Sequence, residues 1–299
     1  MEKKRFGFIL NCSGMGDCLY AIPFIKKCFL NYGDTTVYDI FTYHPDLFRA
    51  CPYVEGVYSR DDVQTLSNYI KSYPSKELFK LENIQHSEID TIDFISIPAE
   101  GIQLSFREKG LEYFPQEADN AQKFDVVLNT SQTWPSRSWV PANWQRLADE
   151  LLALGKTVAV VGKDVVGDGA YKHSPPLLGS HNLVNILSLD QTYFTISKAG
   201  LFVTCQNGLS VLSSATDTEI VVLDMSIEWS KRAMYRHENP FHKVTYIKGQ
   251  CQIYCSHGNS CPLPANMEIF KCIPDYDAVR DIVLKKLALS LPKNKGATT

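Results

Sequence analysis

Short apolar runs alternate with amphipathic segments along the chain of 299 residues. Continuous apolar runs indicate buried strands, whereas apolar positions three or four residues apart indicate helices. The pattern predicts strands over 6–11, 37–43, 56–58, 91–97, 124–129, 157–161, 183–186, 201–204 and 220–223. It predicts helices over 18–30, 45–50, 144–154, 190–199 (with Asp190 as N-cap), 209–215 and 275–291, and less regular helices and loops over 60–87. Alternation of strand and helix is typical of parallel sheets with helices on both faces, so we predict an α/β protein.

The length of the chain favours two domains of about 150 residues each. A polar segment with a proline and no clear period, 111–123, predicts the linker between them. We therefore predict two Rossmann-like domains, 1–118 and 124–274, whose parallel sheets face a central cleft. The amphipathic helix over 275–291 closes the chain.

Composition narrows the functional classes. Hydrophobic residues make up 44% of the chain and charged residues 21%, which excludes a disordered, collagenous or coiled-coil protein. The net charge of −3 gives no broad positive field for nucleic acid. The apolar run Phe6–Leu10 is too short for a signal peptide, and a glycine-rich turn follows it. Since no run reaches about 18 apolar residues, we predict no transmembrane segment and a cytoplasmic protein.

A glycine-rich turn follows the first predicted strand and opens the first helix. It contains Gly14, Gly16 and Asp17, and glycines there allow a ligand to approach the backbone at a helix amino end. The dinucleotide fingerprint is not met, because Leu19 stands where its third glycine belongs. Asp17 fits two roles, a first-turn carboxylate favoured by the helix dipole and a general base at the mouth of the cleft.

Two further loops follow predicted strands of the second half. The first carries Thr130, Ser131 and Arg137, and hydroxyls with a guanidinium suit a diphosphate. Its alternative is a solvated loop anchored by tryptophans. The second loop runs Gln206-Asn207-Gly208-Leu209-Ser210 and fits either an anion nest at a helix start or a plain Asn-Gly turn. Because the three loops follow strand carboxyl ends in both predicted domains, together they indicate one site in the cleft.

Three segments carry a resemblance to a known family. They are GMGDCLYAIPFIKK, SQTWPSRSWVPANWQRLADELLALGKTVAVVG and ISKAGLFVTCQNGLSVLSSAT, in that order. Together they resemble the heptosyltransferases of glycosyltransferase family nine, which have the GT-B architecture. The likeness covers most of the chain and is strongest in its second half, whereas 60–111 matches poorly.

The resemblance implies an inverting transfer of heptose or a related sugar from a nucleotide diphosphate sugar, often ADP-linked, to a hydroxyl such as one of a lipopolysaccharide-core saccharide. It assigns the general base to Asp17 and diphosphate contacts to Thr130, Ser131, Arg137 and Gly208-Leu209-Ser210. This chain departs from the family where Arg137 replaces a lysine, where Gln206-Asn207 replaces an Asp-Thr or Asp-Ser pair, and where Val211 replaces a histidine.

The implied mechanism requires no metal, because Arg137, hydroxyls and a helix amino end meet the charge of the leaving diphosphate. The same residues fit two other functions. In the first, the donor chemistry is the same but the acceptor is a protein or a modified DNA base. In the second, the chain binds a nucleotide sugar without turnover.

The chain has nine cysteines, an odd number that argues against a full disulfide framework. Four of them, Cys251, Cys255, Cys261 and Cys272, precede the last helix. Four thiolates can hold Zn or Fe tetrahedrally in a structural site. The alternatives are buried free thiols or one or two disulfides.

Overall fold

The computed structural model describes residues 4–10, 14–72, 78–81, 110–167, 170–226, 242–251, 261 and 271–288. Within these ranges the chain forms two parallel sheets and one small antiparallel hairpin. An extended segment at 111–123, with neither helix nor strand, runs between the two sheets. The predicted α/β class is confirmed.

The first sheet is built from β1 (Lys4–Leu10), β2 (Thr36–Thr42), β3 (Gly56–Ser59) and β4 (Leu78–Leu81). All pairs are parallel, and the spatial order is β3-β2-β1-β4. The helices of this half are α1 (Met15–Leu19), α2 (Ala21–Tyr32) and α3 (Val63–Ser72), and a short 3₁₀ turn covers Pro45–Leu47. The order of the strands reverses at β1, so the carboxyl end of β1 lies at the switch point of the sheet.

Parts of the first half differ from the predicted pattern. The single helix predicted over 18–30 begins earlier and is divided at Tyr20 into α1 and α2. Strand β4 falls in the stretch 60–87, where the pattern indicates helices and loops; parallel pairing with β1, and not local periodicity, defines it. The strand predicted over 91–97 lies outside the described residues.

Helix α2 buries one face against the first sheet. Ile22 and Ile25 are completely buried, and Phe24 packs edge-on against Phe8 of β1 with ring centroids 6.0 Å apart. Burial of each such side chain contributes about 1.5–3 kcal/mol. This packing holds α1, the short helix between β1 and α2, over the carboxyl edge of the sheet.

The second sheet is larger. Its strands are β5 (Val126–Asn129), β6 (Val158–Val160), β9 (His181–Asn182), β10 (Leu201–Cys205), β11 (Ile220–Asp224) and β12 (Val244–Lys248), and β7 (Val165–Gly167) with β8 (Ala170–Lys172) forms the hairpin after β6. The parallel order β12-β11-β10-β5-β6-β9 is the Rossmann order, counted from β5 as the first strand. The order reverses between β5 and β10. A ligand crevice is therefore expected at the carboxyl ends of these two strands.

The described residues of the second half include the helices α4 (Pro141–Ala153), α5 (Leu189–Ser197), α6 (Gly208–Ser213) and α7 (Tyr276–Lys286). The predicted strand over 183–186 is wrong, since the strand is His181–Asn182 and residues 184–186 form a turn. The predicted N-cap is also wrong. Ser188 caps α5 by accepting a hydrogen bond from the Gln191 amide, because its hydroxyl lies one turn before that amide.

Asp190, inside the first turn of α5, instead holds the extended segment between the sheets. Its carboxylate accepts hydrogen bonds from the Tyr113 hydroxyl and from the backbone amides of Gln116 and Glu117. Burial and the neighbouring carboxylate raise the pKa of Tyr113, which keeps this phenol protonated as the donor. The carboxylate therefore fastens 113–117 to the second half of the chain.

Candidate functional site

The two halves of the chain meet where α1 and α6 touch. Val211 and Leu212 of α6 belong to the same buried cluster as the core of the first sheet. A Cβ on Gly16 would lie 3.2 Å from Gly208 Cα and 3.1 Å from Val211 Cγ2. A Cβ on Gly208 would in turn meet Met15 Cε at 2.7 Å. The two glycines face each other, so the glycine-rich turn with Gly14, Gly16 and Asp17 contacts the predicted loop 206–210.

Asp17 lies in the first turn of α1, next to this contact. Its carboxylate turns back over Gly14, where a Cβ would lie 2.5 Å from Asp17 Oδ2. Asp17 is partly exposed, whereas Gly16 beside it is buried. Because Gly14 has no side chain, there is room for the Asp17 carboxylate. Asp17 follows directly after Gly16, the residue that contacts Gly208.

Thr130 and Ser131 lie at the carboxyl end of β5 and are both buried. The Thr130 hydroxyl donates to the Pro175 carbonyl at 2.8 Å. Ser131 Oγ lies 2.8 Å from Ser174 Oγ and accepts a hydrogen bond from Asn129 Nδ2. Both hydroxyls are therefore held by the segment that follows the β7–β8 hairpin.

Arg137 ends a 3₁₀ turn, Pro135–Arg137, that follows the same strand. Its guanidinium carbon lies 3.9 Å from the centroid of the Trp134 ring, a stacked cation–π arrangement. The turn lies beside β10: burial raises the pKa of Cys205 to about 12, and a hydrogen bond to the Trp139 backbone and the charge of Arg137 oppose that rise. Arg137 therefore lies close enough to Cys205, the last residue of β10, for its charge to act on that thiol.

A second set of contacts joins the Arg137 turn to the start of α7. Trp139 Nε1 donates to the Pro274 carbonyl at 2.9 Å, and the Trp139 ring stacks on Tyr276. Ser136 Oγ lies 3.1 Å from Ser226 Oγ. The tryptophan expected only as a packing anchor thus joins the turn to α7.

The loop after β10 differs from an open anion nest. Asn207 caps α6, and its side-chain oxygen accepts hydrogen bonds from the amides of Leu209 and Ser210. The Ser210 hydroxyl accepts from the Asn207 amide, which completes a capping box. In this structure the preceding asparagine therefore satisfies the amides of Leu209 and Ser210, and diphosphate binding at this helix start stays a prediction.

Gln206 is buried, and its side chain points along the sheet. Its Nε2 donates to Asp224 Oδ1 at 2.8 Å, at the carboxyl end of β11. The structure thus brings Gln206 to the predicted loop but bonds its amide to a neighbouring strand.

Arg60 is a cation at the edge of the first sheet that no sequence motif singles out. It follows β3, its Nη1 donates to the Leu10 carbonyl at 3.2 Å, and its guanidinium carbon lies 5.3 Å from the Tyr43 ring centroid. The sequence signal that could have identified it is an arginine directly after a strand that ends in Tyr-Ser. Only the parallel order of β1, β2 and β3 shows that this arginine lies at the carboxyl end of β1.

The late cysteines are only partly described. Cys251, Cys261 and Cys272 form no disulfide within the described ranges, and Cys255 lies outside them. The Cys251 amide donates to the Lys271 carbonyl at 3.0 Å, so the backbone segments of Cys251 and Cys272 lie side by side. Among the described residues no three potential ligands come together for a metal ion. The tetrathiolate site stays a prediction.

Several solved structures with the same fold are bacterial sugar transferases. The iron-containing dodecameric glycosyltransferase TibC from enterotoxigenic E. coli H10407 matches with a TM-score of 0.64 and 14% identity, over 96% of this chain and 76% of that one. The ADP-heptose LPS heptosyltransferase II of E. coli matches with 0.62 and 12%, over 95% and 98%. E. coli heptosyltransferase WaaC, solved with ADP, matches with 0.56 and 12%, over 94% and 99%.

At these identities the likeness shows the fold. The predicted GT-B architecture is therefore confirmed, and the resemblance to heptosyltransferases holds at the level of structure. No protein-family model and no curated protein matches the sequence. In the part of the chain that the structure describes, no helix combines the length and the apolar character that crossing a membrane requires.

Proposed function

We propose that this chain is an inverting glycosyltransferase that moves a sugar, heptose or a related one, from an ADP-linked or similar nucleotide sugar to a hydroxyl acceptor. The observation that carries the proposal is the contact between Gly16 and Gly208. It places Asp17, from the first half, beside the loop at the switch point of the second. On this contact we assign the candidate base and the candidate donor site to one cleft.

The donor diphosphate is assigned to the crevice between β5 and β10. Thr130 and Ser131 supply hydroxyls once each exchanges its bond to the Pro175 carbonyl or to Ser174 Oγ for a phosphate oxygen. Arg137 supplies a cation whose plane is fixed by Trp134. Guanidinium groups bind phosphate oxygens in a fork, and stacking fixes the orientation of the fork before the ligand arrives. Gly208-Leu209-Ser210 and Gln206-Asn207 line the third side.

The chemistry follows from this arrangement. Asp17 removes the proton from the acceptor hydroxyl as its oxygen attacks the anomeric carbon. The bond to the diphosphate breaks on the opposite face, so the configuration inverts. Arg137 and the hydroxyls stabilise the negative charge on the leaving diphosphate. Contact between the two halves excludes water, which limits hydrolysis of the donor.

We assign no catalytic metal to this reaction, because Arg137 supplies the positive charge at the leaving group. The single Asp-x-Asp triplet of the sequence is Asp275–Asp277, at the start of α7. There Asp275 accepts from Gln250 Nε2 and Asp277 pairs with Arg280. If rates persist after chelation and dialysis, catalysis is metal-independent; if they are lost and zinc or iron restores them, this assignment is wrong.

The acceptor is assigned to the side of the first sheet. Arg60 lies at its carboxyl edge, and a cation there suits an acceptor that carries an anionic group, as a lipopolysaccharide-core saccharide does. A protein or a modified DNA base as acceptor would keep the donor chemistry unchanged. Mass spectrometry of the three acceptor classes after incubation with donor identifies which of them gains a sugar.

The decisive experiment combines binding with turnover. A panel of nucleotide sugars is scanned for thermal stabilisation, because a ligand that binds the native state raises the melting temperature. Asp17→Asn is expected to lower kcat by about 10²–10⁴-fold with donor binding retained. Asp34→Asn, which changes an exposed carboxylate elsewhere in the same half, is the control. Full turnover by Asp17→Asn would refute the base, and absence of stabilisation by every nucleotide sugar would refute the proposal.

Donor binding has its own matched pair. Arg137→Ala removes a stacked arginine from the crevice, whereas Arg146→Ala removes one stacked at the same 3.9 Å distance, on Tyr276, in α4. Only the first is expected to weaken ADP binding, by about tenfold or more. Binding of the donor without any turnover in the wild type would identify a nucleotide-sugar binding module instead of an enzyme.

A further inference from the structure

The last residue of β5, Asn129, is a polar side chain at the centre of the second half. It is completely buried, after three buried aliphatic residues of the same strand. A carboxamide buried without partners is costly, so its hydrogen bonds explain why it is there. It lies at the reversal of strand order between β5 and β10, beside the proposed donor crevice.

All four hydrogen-bonding positions of this carboxamide are used. Asn129 Nδ2 donates to Ser131 Oγ at 2.8 Å and to the Val161 carbonyl at 3.0 Å. Its Oδ1 accepts from Thr204 Oγ1 at 3.2 Å and from Asn207 Nδ2. An amide group has two donor hydrogens and two acceptor lone pairs, so the side chain is saturated.

The partners of Asn129 belong to different loops. Ser131 is part of the loop after β5 and continues the chain of hydrogen bonds to Ser174. Asn207 is part of the loop after β10, and its oxygen holds the amides of Leu209 and Ser210. One rigid side chain therefore sets the positions of both loops relative to the strands.

We propose that Asn129 is a positioning residue for the donor diphosphate. It acts through Ser131 on one side of the crevice and through Asn207 on the other, and holds both at the separation that the diphosphate requires. This inference rests on the proposed function for the identity of the ligand. The link between the two loops can be measured without any ligand.

The ligand-free test is amide hydrogen exchange. Asn129→Ala removes the acceptor that orients Asn207, so the amides of Leu209 and Ser210 are expected to exchange at least several-fold faster. Thr218→Ala is the control, because it removes a buried hydroxyl bonded to the Ile196 carbonyl at 2.7 Å, before β11 and away from the crevice. Unchanged exchange in Asn129→Ala, or an equal rise in the control, overturns the proposal.

The ligand test uses ADP and a double-mutant cycle. Asn129→Ala and Asn207→Ala are each expected to raise the Kd of ADP by roughly tenfold, while Thr218→Ala leaves it unchanged. Because Asn129 acts partly through Asn207, the double variant should lose less than the product of the two single losses. Multiplicative losses, or an unchanged Kd in Asn129→Ala, overturn the proposal.

The two arms separate this inference from the proposed function. If the wild type binds no nucleotide, the proposed function is refuted. The role of Asn129 in positioning a diphosphate is then refuted as well, even if amide hydrogen exchange shows that Asn129 orders the two loops. If the wild type binds ADP and the Asn129 variants match it, only the role of Asn129 is refuted.

Discussion

Alanine at either of the two facing glycines tests whether the halves of the chain meet in solution as they do here. Gly16 and Gly208 both have helical backbone conformations, and neither has a positive φ. Alanine therefore suits the backbone at both positions. It stabilises by about 0.4–1 kcal/mol where nothing obstructs the new methyl group. What differs between them is the atoms that the methyl group meets.

At Gly16 the new Cβ lies 3.2 Å from the Gly208 backbone and 3.1 Å from the buried Val211 side chain. Neither neighbour can turn away, so the halves must separate by a few tenths of an ångström. Such overpacking costs about 1–3 kcal/mol. At Gly208 the new Cβ meets Met15 Cε at 2.7 Å, the far end of a flexible side chain that can change rotamer.

The two variants are therefore expected to differ in stability. Gly16→Ala should lower the free energy of unfolding by about 1–2 kcal/mol, because overpacking exceeds the gain from alanine. Gly208→Ala should leave it unchanged or raise it by about 0.5 kcal/mol. At about 2–4 °C per kcal/mol, melting temperatures separate by several degrees.

Differential scanning calorimetry measures both shifts, and the turnover of nucleotide sugar reports the effect on the cleft. Gly16→Ala is expected to lose donor turnover along with stability, since it displaces Asp17. If Gly16→Ala is stabilised as much as Gly208→Ala, then α1 and α6 do not touch in solution. The reasoning that joins Asp17 to the donor loop would then be refuted.

Three other changes test separate parts of the structure. Arg5→Leu removes the guanidinium whose Nη1 donates to both carboxylate oxygens of the fully buried Asp39, and should cost about 2–3 kcal/mol in urea unfolding, with Arg5→Lys losing less. Hydrogen bonds from its neighbours hold the pKa of Asp164 below its ordinary value of 3.8. Its contribution to the free energy of unfolding is therefore complete above pH 3.8 and is lost as the pH falls further. The difference in this free energy between wild type and Asp164→Asn should be smaller at pH 3 than at pH 6. Gly14→Ala places a methyl group 2.5 Å from Asp17 Oδ2 and should lower kcat by about tenfold or more at an unchanged melting temperature; an unaltered kcat would place the base elsewhere.

Much of the fold follows from local pattern. Runs such as Val126–Asn129 and Leu201–Cys205 are largely apolar, because strands of a covered parallel sheet are buried on both faces, and such runs are recognisable without coordinates. Strand β12 and the hairpin after β6 are not predicted by the apolar pattern. The hairpin strands have three residues each, and pairing between them defines both.

The loops that carry candidate chemistry were also predictable, since a strand end followed by glycine and a helix start is a local signal. Their partners were not. Asn129 looks like the last residue of an apolar strand, and its link to Asn207, 78 positions later, exists only because β5 and β10 pair in parallel.

The sequence by itself determined the alternation of strands and helices and the residues at three strand ends, because both depend on neighbours in the chain. The tertiary structure decided that Gly16 faces Gly208, that Asn207 satisfies the amides of its own helix, and that Asn129 joins two loops. These contacts depend on the order of strands in the sheets and on how the two halves pack. Residues distant in sequence create most of them, so no local pattern records them.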